Sequence, residues 1–342
     1  MTEKDYSGIA TSKIGKNVKI RNNFTQSSEI IKSKEKTREA KKIELPASLI
    51  ENYKKAGEIA KQVKQYAKEI IKLNMPLHEI AEKIEAKILE LGGEIAFPVN
   101  LSIDDVAAHY TPTLHDEKLA TGLLKVDLGV HINGCICDIA FSLDLTQEKK
   151  HAKLIEASEK ALEEALEILK KEKARAYINE IGKAIQKTIQ GFGFSPVRNL
   201  SGHGLAEFEI HSGLTIPNYD NSNIKMIGGG AFAIEPFATS GAGVVYDGPS
   251  SNIYHLVKEG QVRDNFSRQV LEYIIEKKKT LPFSQRELEK KFGSKVLIAI
   301  SNLKRAGIIE EFSQLIEKNH CPISQAETSI LIYNDNVDVL CD

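Results

Sequence analysis

The feature that most constrains this chain is the stretch Leu124-Lys125-Val126-Asp127-Leu128-Gly129-Val130-His131-Ile132-Asn133-Gly134-Cys135-Ile136-Cys137-Asp138-Ile139-Ala140. Asn-Gly between two apolar runs predicts a β-hairpin closed by a type I′ turn, because both central residues must take positive φ. With Asn133-Gly134 at its centre, Ile132 pairs with Cys135 and every cross-strand pair sums to 267. Asp138 then lies opposite Gly129 and Asp127 opposite Ala140, so the two aspartates are diagonal neighbours on one face. Such neighbours stand roughly 7–8 Å apart. Two carboxylates held together among Val, Leu and Ile repel each other unless positive charge lies between them. One or two divalent cations would supply it. By the same alternation Cys135 and Cys137 face the other way, as packing residues rather than ligands.

Three further ionisable residues occupy apolar or glycine-bounded contexts. His203 lies in Ser201-Gly202-His203-Gly204, where glycines allow close backbone approach. Glu235 lies in Ala231-Phe232-Ala233-Ile234-Glu235-Pro236-Phe237, too apolar for an unpartnered carboxylate. Glu327 opens the apolar run Thr328-Ser329-Ile330-Leu331-Ile332. Two Asp, two Glu and one His form a hard, oxygen-rich set suited to Mn, Fe(II), Co or Zn and unlike a thiolate zinc site.

Periodicity predicts a helix from Pro46 to Leu73 and a second opened by Pro76 and closed by Gly92-Gly93. Extended chain is expected at 95–103, 123–130, 135–145, 196–200, 207–212, 230–237, 242–246, 327–333 and 337–341. Helices are expected at about 148–171, 176–191, 263–278, 284–292 and 294–306. Helices and strands mix without β-α-β alternation, which predicts an α+β fold with a largely antiparallel sheet. A length of 342 residues suggests two units, or one large unit with insertions.

The 46 Lys+Arg nearly cancel the 47 Asp+Glu, which argues against a globally basic nucleic-acid binder. The imbalance is local: residues 1–42 hold eleven basic and five acidic side chains, a net of +6. Poor in large apolar residues, residues 1–45 read as a mobile tail suited to docking on anionic ribosomal RNA. No apolar run approaches the roughly 18 residues of a membrane span. The first twenty residues lack a hydrophobic signal core, and none of the four cysteines forms a C-x-x-C pair. A cytoplasmic protein with reduced thiols is expected.

The order Asp-x10-Asp, His, Glu, Glu resembles the methionine aminopeptidase and prolidase superfamily, which has the pita-bread (creatinase/aminopeptidase) fold. Within it the chain is most similar to type II methionine aminopeptidases of archaeal kind. The resemblance is carried by Phe97-Pro98-Val99-Asn100-Leu101-Ser102, Ala107-Ala108-His109-Tyr110-Thr111-Pro112, the hairpin, Leu200-Ser201-Gly202-His203, Ile210-His211-Ser212-Gly213 and Phe232-Ala233-Ile234-Glu235-Pro236-Phe237. It implies a catalytic domain over 46–342 with a helical, winged-helix-like insertion at about 250–320. It implies two divalent metal ions, with Asp127, Asp138, His203, Glu235 and Glu327 as ligands. It implies that Glu235 moves the proton, that His109 and His211 contact the substrate, and that Phe97 and Ile210 line the pocket for a methionine side chain. The implied reaction removes the initiator methionine from nascent polypeptide N-termini whose second residue is small, by a monomeric enzyme. A prolidase, which prefers Xaa-Pro, shares the ligand order but lacks the Ala107–Pro112 context. Residues 282–312, with Arg286, Lys290, Lys291, Lys295, Lys304 and Arg305, have a helix-turn-helix pattern that is also a common packing unit, so no sequence-specific DNA binding is expected. Around the last ligand the family's Gln-Phe-Glu-His-Thr is replaced by Gln325-Ala326-Glu327-Thr328-Ser329.

Overall fold

In the computed structural model, residues 44–341 are described; the basic tail, apart from its last two residues, lies outside them. The chain opens with helices α1 (Ala47–Ile70) and α2 (Leu77–Glu90), then strands β1 (Glu94–Ile103), β2 (Val106–Ala108), β3 (Leu123–Ile132) and β4 (Cys135–Asp144). Helices α3 (Ala152–Glu172) and α4 (Ile178–Gly191) follow. Next come β5 (Ser195–Pro196), β6 (Ser201–Ala206), β7 (Glu209–Pro217), β8 (Gly230–Ile234), β9 (Phe237–Thr239) and β10 (Val245–Leu256). Then come α5 (Asn265–Tyr273), β11 (Phe283–Ser284), α6 (Gln285–Phe292), α7 (Val296–Arg305) and β12 (Ile309–Glu317). The chain closes with β13 (Ile323–Gln325), β14 (Thr328–Tyr333) and β15 (Asn336–Val339).

Every named strand pair is antiparallel, as the absence of β-α-β alternation predicted. The strands form sheets in the orders β1-β3-β4, β11-β10-β12-β2, β13-β9-β5 and β15-β14-β8-β6-β7. Helix α1 covers β3 and β4 while α2 covers β1. Their apolar stripes, including Ile59, Val63, Ile80 and Ile84, share one core with Val126, Leu128, Cys135 and Cys137. Helices α3 and α4 pack a second core against Phe232, Ile234 and Ile330. A third core, with Val270, Leu288, Val296 and Leu303, joins α5–α7 to β10 and β12.

Several boundaries differ from expectation. Helix α1 stops at Ile70, because Ile71 turns extended. Gly92, at φ 79°, caps α2, and the amides of Gly92 and Gly93 bond back to Leu89 and Ile88, a left-handed helix end. The strand expected at 196–200 is a two-residue piece, and the long strand begins only at Ser201, which puts His203 inside β6. The run 230–237 is two strands interrupted at Glu235-Pro236, where proline removes a ladder donor. The helix expected over 263–278 changes to a π turn at Ile274–Lys278. The strand expected at 242–246 runs on to Leu256 as β10, and nothing in the sequence reading anticipated the length of β12. Those two pair with each other through irregular registers, which blur the alternation that a strand needs to be legible.

Candidate metal centre

The hairpin folds in the predicted register. Ile132 pairs with Cys135, Gly129 with Asp138 and Asp127 with Ala140, around Asn133 and Gly134 at φ 51° and 87°. Cys135 and Cys137 are fully buried in the core on the far face. A second element meets β4 on the aspartate side. Asp138 N–H donates to Ser329 Oγ (2.8 Å), whose hydroxyl donates to Asp138 O (2.9 Å). Ala140 and Glu327 exchange backbone bonds across an isolated bridge, and Ser142 Oγ binds both the carbonyl and the amide of Gln325. Residues 138, 140 and 142 are thus laced to 329, 327 and 325, which carries Glu327 to Asp138.

His203 arrives on β6. Its neighbours are glycines because a Cβ at Gly202 would stand 2.4 Å from Ala233 O, and one at Gly204 2.0 Å from Ser212 O. His203 Nδ1 lies 3.3 Å from Gly204 O; with a proton there, Nε2 faces Asp138 Oδ2 at 3.7 Å and Glu235 Oε1 at 3.5 Å. Ligand atoms of Asp138, His203 and Glu327 lie within 4.8 Å of one another. Gln325 Nε2 donates to the second oxygen of Glu327 at 3.3 Å.

Four acids therefore converge. Burial pushes the Asp127 carboxyl up to about 7. Asp138 is raised well above its ordinary range by burial and then by Asp127. Glu235 is raised by burial, then by Asp138 and Asp127. Glu327 is raised by burial, then by Asp138, Glu235 and Asp127. Among the described residues no lysine or arginine forms an ion pair with any of the four. Asp127 Oδ1, Asp138 Oδ1 and Glu327 Oε1 are buried without a hydrogen-bond donor. Orphaned buried carboxylate oxygens are costly, and a divalent cation bound by oxygen and imidazole satisfies them without a proton. The donor set fits such an ion.

The other expected residues fall around this cluster. The His211 ring sits 4.5 Å from that of His203, centroid to centroid, and is solvent-exposed. His109 takes the left-handed φ of 60°, lies with Nδ1 3.3 Å from Ser313 O, and has its own pKa lowered to about 4 by burial. Phe97 pairs with Gly129 across β1 and β3, and it shares a buried cluster with Ile210. Sequence reading missed Ser142, Gln325 and Ser329, which hold ligands in place, because a serine beside a ligand carries no local signal. It also missed Phe312, whose ring stands 5.2 Å from that of His109. The replaced residues around Glu327 have their own contacts: Thr328 Oγ1 donates to Cys341 O. An open cavity of about 720 Å³, lined by Lys153, Lys187 and Phe192 among others, includes no residue of this cluster.

The pattern of metallopeptidase family M24 matches residues 51–264. The methionine aminopeptidase of Methanocaldococcus jannaschii is 40% identical over 296 residues, which cover 85% of this chain and 98% of that one. Among solved structures, a thermophilic Arx1 superposes with a TM-score of 0.72 at 18% identity, over 87% of this chain and 91% of that one. The methionine aminopeptidase of Thermotoga maritima superposes with a TM-score of 0.62, also at 18% identity, over 87% of this chain and 98% of that one. At such identity these two likenesses describe the fold alone.

Proposed function

The chain belongs to metallopeptidase family M24, and from that membership we propose how its residues work as an aminopeptidase of type II. The protein is a metallo-aminopeptidase that removes N-terminal methionine, as its 40% identity to curated relatives supports. We assign Asp127, Asp138, His203, Glu235 and Glu327 as ligands of two divalent cations. The observation that carries this reading is the set of buried carboxylate oxygens with no donor and no ammonium or guanidinium partner.

Divalent cations bound there would supply Lewis acidity, which activates water and polarises a carbonyl. The rest of the work falls to side chains. Glu235, with a carboxyl raised by burial and then by Asp138 and Asp127, suits a proton acceptor that passes the proton to the leaving amine. His109 and His211 flank the cluster and would hydrogen-bond the scissile amide, at a typical ~2.7–4 kcal/mol per well-placed donor. Phe97 and Ile210 offer an apolar wall to the thioether. A methylene in such a pocket is worth only ~1–3 kcal/mol, so rejection of bulky second residues has to come from crowding where the leaving amine sits beside the two histidines.

Metal-free protein reconstituted with Mn, Fe(II), Co and Zn in turn, then assayed on Met-Ala-Ser, Leu-Ala-Ser, Met-Lys-Ser and Ala-Pro, tests the reading. We expect Met-Ala-Ser to be cleaved and the others to lag by at least about tenfold. Cleavage of Ala-Pro with Met-Ala-Ser untouched would replace it with a prolidase.

The substrates are nascent N-termini, which we place in the cytoplasm and at the ribosome, with the enzyme monomeric. The net charge of +6 over residues 1–42 supports a salt-sensitive contact with ribosomal RNA. Protein lacking residues 1–42 should keep its peptide activity and lose ribosome co-sedimentation at low salt; equal co-sedimentation with and without them would remove the contact from the proposal.

A further inference from the structure

Arg286 is 1% exposed and is the bulkiest side chain buried so completely among the described residues. It leaves α6, whose own core is apolar, and reaches helix α2 and the loop that follows β2. Nη1 donates to Thr111 Oγ1 (3.1 Å) and to the Pro112 carbonyl, while Nη2 pairs with Glu85 of α2. The same Glu85 oxygen accepts the Val99 amide at 3.2 Å, and Thr111 Oγ1 donates to Val99 O at 2.9 Å. Both polar groups of Val99 are therefore held by this cluster. They are held where β1 slips its register against β3, between Phe97 and Asn100. Two residues before Val99 stands Phe97. Two residues before Thr111 stands His109 in its left-handed conformation, and Thr111 is fixed further by Ser251 O and Asn252 Nδ2 from β10.

We infer that Arg286, acting with Glu85 and Thr111, is a positioning residue for the aminopeptidase reaction: it ties the helical segment to both Phe97 and His109 and sets them against the carboxylate cluster. A guanidinium is required because it bonds in two directions from one rigid plane, toward the Thr111–Pro112 turn and toward Glu85. An ammonium offers the charge without the fork. A bulge and a left-handed residue are places where backbone relaxes once a restraint is removed, and displacements near 1 Å at a reacting group cost up to about a hundredfold in rate. The helical segment, on this view, supports the substrate side of the site and leaves the metal side alone.

The inference rests on the roles given above to Phe97 and His109, and the test separates the two. Arg286→Lys, Thr111→Val and the charge-free pair Arg286→Met with Glu85→Met would be compared with the unsubstituted protein on Met-Ala-Ser and Leu-Ala-Ser. Melting temperature and bound metal per chain would be measured on the same samples. We expect folded, metal-loaded variants whose kcat falls by about 10–100-fold and whose preference for methionine over leucine narrows. A purely structural role would lower melting temperature while leaving kcat per folded molecule and the Met-to-Leu ratio unchanged; that result overturns the inference. The double substitution leaves no unpaired buried charge, so it remains informative if Arg286→Lys fails to fold. Failure of the unsubstituted protein to cleave Met-Ala-Ser would instead refute the aminopeptidase reading itself.

Discussion

Gly129 has no side chain because Phe97 occupies its place. A Cβ there would lie 2.3 Å from one ring carbon of Phe97, 2.5 Å from another and 2.9 Å from the Ala96 methyl. Gly129 is also the direct partner of Asp138, so a single missing methyl brings the proposed pocket wall against the carboxylates. Gly129→Ala should push the ring off its seat, raise KM for methionine peptides and cost about 1–3 kcal/mol from overpacking. Bound metal should stay the same, since no ligand is touched. Kinetics together with urea unfolding would check this; unchanged KM would mean that Phe97 does not line the pocket.

At the scale of elements, the centre lies where strands of separate sheets are stitched together. Strand β4 offers residues 138, 140 and 142 to 329, 327 and 325 of the β13–β14 segment, and serine hydroxyls replace ladder bonds at both ends. Each hydroxyl both accepts and donates, so it binds the amide and the carbonyl of one residue together. Ser329→Ala strands the Asp138 amide and carbonyl in a buried place, which costs about 1–3 kcal/mol and loosens the carboxylate. The expected result is a lower unfolding midpoint and weaker metal retention during dialysis, both restored by Ser329→Thr. A full-strength midpoint in the alanine variant would assign the stitching to the backbone bridge alone.

At the scale of the whole molecule, metal loading and stability are linked through protons. Without metal, the Asp127 carboxyl titrates near 7 in the folded chain against an ordinary value near 4, and Asp138, Glu235 and Glu327 shift the same way. A raised carboxyl gives stability that is present below its unfolded pKa and lost as pH climbs through the folded value. His109 and His203, lowered by burial to about 4, work oppositely: their burial penalises the fold at acid pH and ceases to do so as pH rises toward 6.5. The two trends offset each other in metal-free protein. Metal removes only the carboxylate cost, because binding expels those protons. The rise in melting temperature on adding Mn or Co should therefore grow steeply between pH 5 and 7, at up to about 1.4 kcal/mol per pH unit for each proton released. A metal-induced shift independent of pH would contradict the carboxylate assignment. Among the described residues no helix is long and apolar enough to cross a membrane.

The hairpin was legible in the sequence because its information is local: Asn133-Gly134 sets the turn, the turn sets the register, and alternation then places Asp127, Asp138 and both cysteines on their faces. The apolar surroundings of Glu235, and of the strand that follows Glu327, marked those carboxylates as needing a partner for a similar reason, since the cost of burying charge is paid wherever the segment ends up. Gly202 and Gly204 announced close backbone approach, though not that the approaching backbone is that of Ala233 and Ser212. Tertiary structure alone decided which distant segments meet. Ser329 contacts Asp138 from 191 residues away and Arg286 contacts Glu85 from 201, and no periodicity encodes such a pairing. It also decided that Glu235 sits in a break between two strands and that α6 sends its arginine to helix α2 and the Thr111–Pro112 loop. Those choices depend on the summed packing of several cores, which no window of sequence contains.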